Sequence, residues 1–342
     1  MIRGTDMINS PIIFYYFNLT GTQSYCRLVE DSFHKTGRTR PIEFRSWNCY
    51  SGIPKNDGDL YAFDGVVLSA LVEKGLLRPV PDSVYPEDVF PWIMEKSLVG
   101  RKSYGLPFML CSNALICRKK DDLNIRNIME LHENVAIPLR SMVMYYYIQA
   151  MCSNRDPLRR LKVMEHLLDL IGGRAFLSES SLADYDGINR FNREECRYFL
   201  GFTESIRYFK PDDYVIRFVN FSESSSDNRS LFMADFVSLG IQVPDEKLSD
   251  CLALMQIMAG EQFVYDACML DGQLQYFLPA NRCVFPRLTE QAPLYDHLYC
   301  LLNHKENGLL RYGKRYYKDF NRQEDVLLQF LWEISGWKSG KV

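Results

Sequence analysis

At 342 residues, the chain is longer than the commonest single domain and suits two lobes, each with its own core. Hydrophobic residues make up 47% and charged residues 24%, a balance that argues for a globular protein and against long disorder. A net charge of -3 supplies no general attraction to nucleic acid or to an anionic membrane, and no apolar run approaches the length that spans a bilayer.

The first ten residues lack the basic-then-apolar order of a secretory signal. The chain therefore reads as cytoplasmic as it stands, or as secreted if an export signal has been removed. Residues 11–18, rich in Ile, Phe and Tyr, predict a first strand. A helix follows, with hydroxyl caps from Thr20 and Thr22 and a stripe of Cys26, Leu28, Val29 and Phe33 that stops at Gly37. Residues 41–47 predict a second strand, released into a loop by residues 48–52. This β-α-β opening argues for a parallel sheet with helical crossovers.

Residues 60–67 form a third apolar run, interrupted by Asp64. A carboxylate there caps the helix expected over residues 67–73, or stands at a strand end where α/β sheets bind ligands; the two readings are compatible. A loop over residues 78–86 and a helix over 87–96 lead to residues 104–113, where Cys111 ends an apolar run directly before Ser112 and Asn113. The run resumes at residues 114–117, so the segment reads as one long strand broken near its middle, a place for the chain to pass between lobes.

The middle of the chain predicts a helix over residues 123–131, a short strand over 135–138, and helices over 141–152 and 157–171. Residues 184–187 hold part of a calcium-loop pattern without the remaining oxygen ligands, and read as a turn. Glu204 follows the strand-like residues 198–202, where it could equally cap a helix or pair with Arg207. After a polar loop over residues 222–229, Asp235 interrupts another strand at residues 231–239. Asp64, Glu204 and Asp235 thus recur as lone acids at the end of, or within, apolar runs, as convergent groups at the mouth of one cleft would. Helices over residues 248–258, 262–269, 294–302 and 324–334, with an extended segment at 275–282, complete the chain.

The ten cysteines include no C-x-x-C pair, and the five histidines are scattered. No metal site is expected, and most of the cysteines read as reduced, buried thiols.

In this order, Trp47-Asn48-Cys49-Tyr50, Tyr61-Ala62-Phe63-Asp64, Tyr104-Gly105-Leu106-Pro107 leading to Cys111, Gly201-Phe202-Thr203-Glu204-Ser205, Ala234-Asp235 and Leu278-Pro279-Ala280 resemble thiaminase I (thiamine pyridinylase). The resemblance implies an α/β, two-lobed, periplasmic-binding-protein-like (type II) fold with a cleft between the lobes. Residues 10–112 and 262–342 would form the first lobe and 113–261 the second. It implies a transferase that cleaves thiamin, or a related pyrimidine, at the methylene bridge. Cys111 matches the nucleophile that adds to the pyrimidine, and Glu204 the base that deprotonates an incoming amine or thiol. Asp64 and Asp235 would hold the amino-pyrimidine and offset the thiazolium charge, with Tyr15, Tyr16, Tyr50 and Phe202 beside them. Two residues before the acids, where the family pattern has tyrosines, stand Phe202 and Met233; aromatic stacking survives at the first only. No cofactor is implied, and the partners are a small-molecule substrate and a small nucleophile, with no nucleic acid, no membrane and a monomeric chain. The competing class is a binding protein of the same fold that performs no chemistry.

Overall fold

The computed structural model describes residues 10–17, 22–50, 52–112, 114–127, 130–132, 135–136, 166, 170, 184–210, 213–219 and 230–310. In chain order the elements are β1 (Ile12–Phe17), α1 (Thr22–His34), β2 (Ile42–Trp47), β3 (Leu60–Asp64), α2 (Leu68–Glu73), α3 (Pro91–Lys96), β4 (Leu106–Cys111), β5 (Ala114–Arg118), β6 (Val135–Ala136) and α4 (Asp184–Asn192). They continue with β7 (Tyr198–Gly201), β8 (Tyr214–Arg217), β9 (Leu231–Leu239), α5 (Asp245–Met258), α6 (Glu261–Cys268), β10 (Leu278–Pro279), α7 (Phe285–Gln291), α8 (Leu294–Leu302) and β11 (Gly308–Leu309). None of the helices among the described residues is long and apolar enough to cross a membrane.

The chain divides into two compact units, with switches after Cys111 and after Leu231. The first holds a seven-stranded sheet in the order β10-β4-β9-β3-β1-β2, with β11 on β9. Its β1, β2 and β3 run parallel, as the β-α-β opening predicts, but β9 enters antiparallel between β3 and β4. Residues 232–261 therefore belong to this unit, whereas the sequence boundaries place them in the second lobe. The reason is the central position of β9, which no local pattern reports. Two glycines allow its close approach: a Cβ on Gly65 would lie 2.7 Å from the Ala234 carbonyl oxygen, and one on Gly105 would lie 2.3 Å from Ser238 Oγ.

The second unit holds a four-stranded sheet in the order β6-β7-β5-β8. β4 and β5, read from sequence as one interrupted strand, belong to different sheets, and the chain passes from the first unit to the second after Cys111. A core of Phe191, Phe199, Phe209 and Tyr214 fills this unit, with Phe191 and Phe209 ring centroids 4.7 Å apart. The Arg118 guanidinium lies 4.6 Å over the Phe191 ring and donates to the Phe191 carbonyl.

Several elements differ from expectation for identifiable reasons. The described residues among 123–131 form no α-helix; Asn124 has φ +55°, which a helix does not accommodate. The helix expected over 87–96 begins only at Pro91, because the residue before proline is driven to extended backbone and Phe90 has ψ 125°. The turn expected at residues 184–187 is the start of α4. The caps assigned to Thr20 and Thr22, the helices at 141–152 and 324–334, most of 157–171, and the loop at 222–229 lie outside the described residues or side chains.

Candidate active site

The central strands of the first unit bring the sequence-flagged residues onto one face. Asp64, the last residue of β3, is the register partner of Asp235 in β9, and Cys111, the last residue of β4, is the partner of Met233. Opposed residues in an antiparallel ladder point the same way, as do residues two apart, so Asp64, Asp235, Met233 and Cys111 share a face. Asp64 is buried, Met233 is buried, and Asp235 and Cys111 are half-buried.

Asp64 stands at the end of β3 and also caps the turn that follows. Its Oδ1 accepts the Val66 backbone N–H at 3.0 Å, capping the 3-10 turn Gly65–Val67 that runs into α2. Its Oδ2 accepts the Tyr50 hydroxyl at 2.6 Å. Tyr50, delivered by the turn after β2, packs edge-on against Phe17 at 5.2 Å. The motif at residues 47–50 also delivers Cys49, which the sequence reading quotes without giving it a part. Burial first, and then the charges of Asp64 and Asp235, hold the Cys49 thiol well above the ordinary range, so it stays a neutral thiol beside the two acids.

Of the two tyrosines from β1, Tyr15 is not brought to the acids. It pairs in register with Tyr61 and stacks on it at 5.4 Å, on the opposite face of the sheet. Its hydroxyl donates to Asp57 Oδ1 at 2.9 Å and lies 3.3 Å from the Arg45 guanidinium, so the residue secures the edge of the sheet. Tyr16 points to the same face as Asp64, where it packs edge-on against Phe44 at 6.0 Å and its hydroxyl meets the Cys26 thiol of α1.

In the second unit, Glu204 lies in the first turn of the 3-10 segment Thr203–Tyr208, and Phe202 precedes it in extended backbone. Burial raises the Glu204 carboxyl above its ordinary range; its own backbone amide, Arg207 and the Thr203 hydroxyl pull the other way without reversing the shift. Cys117, in the middle of β5, is buried and its thiol is pushed up to about 12, chiefly by desolvation. Among the described residues no cluster of His, Cys, Asp or Glu could hold a metal ion.

No family model matches the chain. A curated relative, thiaminase-1 of Paenibacillus thiaminolyticus, is 27% identical over 315 residues, spanning 80% of this chain and 76% of its own. The chain resembles thiaminase I. Solved thiaminase I structures share its fold: that from Bacillus thiaminolyticus at TM-score 0.80 and 23% identity, covering 94% of this chain and 100% of its own. Thiaminase I of Clostridium botulinum in complex with thiamin matches at TM-score 0.80 and 20% identity, over 93% and 99% of the two chains. A eukaryotic thiaminase-I bound to the thiamin analogue 3-deazathiamin matches at TM-score 0.70 and 18% identity, over 94% and 99%. The architecture is accordingly the two-lobed, periplasmic-binding-protein-like α/β fold of the thiaminase I structures.

Proposed function

We propose that the chain is a thiaminase I-type transferase that degrades thiamin, and that Cys111 is its nucleophile. The observation supporting this most strongly is the meeting of a half-buried cysteine and two carboxylates on one face, at the centre of the sheet of a fold shared with thiaminase I. Two carboxylates opposed in a ladder repel one another, and a cationic ligand offsets that repulsion. Thiamin carries such a charge on its thiazolium ring.

In this reading Glu204 takes the thiol proton as the Cys111 sulfur adds to an electron-poor carbon of the pyrimidine ring, and passes that proton to solvent before the second half of the reaction. The electron pair so gained expels the thiazole from the exocyclic methylene, and the thiazole departs neutral, keeping the pair from the broken bond. An amine or thiol then adds to the methylene while Glu204 removes its proton, and the sulfur leaves to restore the aromatic ring. A carboxyl raised by burial is a stronger base than an exposed one, which suits Glu204 to that task. Asp64, held by Tyr50, and Asp235 receive the amino-pyrimidine, and Phe202 supplies a ring for stacking. The chain acts as a monomer.

The test is incubation with thiamin and an aromatic amine, following by mass the loss of thiamin and the gain of the amine adduct. Adduct formation by the native chain and none by Cys111→Ser is the expected result. Tight binding of thiamin with no adduct would replace the transferase by a binding protein of the same fold.

A further inference from the structure

The nucleophile proposed above sits where the ladder that holds it runs out. Its pair with Met233 is the last between β4 and β9, and Cys111 itself is half-buried. A residue at a strand end has ladder support on one side only, and opens more readily than the strand interior. Ser112, the next residue, supplies what the ladder does not. It is 3% exposed, and its hydroxyl donates to the Leu231 carbonyl at 2.7 Å, across 119 positions of sequence. Leu231 is a fixed anchor. Ser230 before it donates from its hydroxyl to the Phe218 carbonyl at 3.1 Å, and the Phe232 carbonyl after it accepts the Leu310 amide at 2.7 Å. Three successive residues of the returning chain are thus each tied to a different segment, and the middle one holds Ser112.

Cys111 is thereby secured from both directions along the chain, by Leu110 paired with Ala234 and by Ser112 bonded to Leu231. We infer that Ser112 is a positioning residue, whose hydroxyl clamps the end of β4 so that the Cys111 sulfur keeps its place on the face of Asp64 and Asp235 through the covalent steps. The assignment rests on the transferase reading above and deepens it. A nucleophile must sit within a narrow range of its target, and a displacement of about 1 Å can cost about a hundredfold in rate. The carboxylates that receive the ligand in that reading stand on β3 and β9, within the ladder, so loss of the clamp should leave binding alone.

The experiment compares Ser112→Ala, Ser112→Thr and Ser112→Val with the native chain, the last two being alike in shape and differing by the hydroxyl. With thiamin and a saturating aromatic amine, well below the melting temperature of each protein, Ser112→Ala should lower kcat between about tenfold and a hundredfold and change KM by less than about twofold. Ser112→Thr should keep at least about tenfold more kcat than Ser112→Val. A merely structural role would move the melting temperature without this split. A second measurement needs no substrate. Iodoacetamide alkylation of Cys111, read by peptide mass against the exposed Cys300, should be several-fold faster in Ser112→Ala and Ser112→Val than in the native chain and Ser112→Thr. An unchanged kcat in Ser112→Ala, a loss carried by KM, or like behaviour of the threonine and valine variants overturns the inference and leaves the transferase reading intact. No adduct from the native chain overturns the transferase reading; the alkylation rates then decide the clamp by themselves, and equal rates in the native and Ser112→Ala chains overturn it as well.

Discussion

The bond between Tyr50 and Asp64 offers a direct test of how the site is held. The Tyr50 hydroxyl donates to Asp64 Oδ2 at 2.6 Å in a buried setting, and Oδ1 is separately occupied by the Val66 amide. Tyr50→Phe keeps the ring against Phe17 and removes only the O–H, a hydrogen bond to a charged group worth about 1.5–3 kcal/mol. Asp64→Ala removes the same bond and also the cap, which adds about 1 kcal/mol, so the total loss should reach about 2.5–4 kcal/mol. In the double variant the hydroxyl has no carboxylate to lose and the cap is lost once, so the coupling energy should be about 1.5–3 kcal/mol. Urea unfolding of the four proteins, followed by the fluorescence of Trp47 and Trp92 in the same unit, measures it. A coupling below about 0.5 kcal/mol, the ordinary limit of additivity, would refute the claim that Tyr50 holds Asp64.

Cys111→Ser should abolish adduct formation while thiamin still binds, whereas Cys117→Ser, whose thiol is already held neutral by burial, should change stability and leave turnover intact. Glu204→Gln should lose turnover and gain stability at neutral pH. The sign follows from the raised carboxyl: its contribution is fully present below the unfolded carboxyl range and is lost as pH rises through the folded value, so the native protein's disadvantage against the glutamine variant should vanish in acid. A pH series of melting curves decides this. Lys247→Met should destabilise the first unit by about 3–5 kcal/mol in denaturant titration, because Lys247 Nζ lies 2.8 Å from Asp59 Oδ2 inside the protein and its removal leaves a buried charge unpaired.

The acids were legible because a lone carboxylate in an apolar run is a local contradiction, and a sequence displays local contradictions well. Asp64 and Asp235 stand out for that reason, and Cys111 does so through the polar pair behind it. Their adjacency was not legible. It depends on β9 entering the sheet 167 residues after β3 ends, and pairing across such a separation leaves no mark in either strand. The parallel opening was read correctly from β1, α1 and β2, and that success concealed the antiparallel strand to come. The inward stripe of α1 was read one position off. The stripe read as Cys26, Leu28, Val29 and Phe33 is in fact Tyr25, Val29 and Phe33, spaced by four and fully turned inward.

The register pair Asp64 and Asp235 also bears on how the proposed site divides holding from binding. Both acids occupy equivalent places on neighbouring strands, yet their surroundings differ. Asp64 is buried, with one oxygen on the Val66 amide and the other on Tyr50, so its position is fixed by groups of the chain itself. Asp235 is half-buried, and its charge reaches both the Tyr25 hydroxyl and the Cys49 thiol, two groups that remain protonated beside it. In the proposed reading Asp64 is the acid that shapes the end of β3, and Asp235 is the acid that meets the ligand. Charge removal at the two positions should accordingly separate, with stability lost chiefly at Asp64 and affinity chiefly at Asp235.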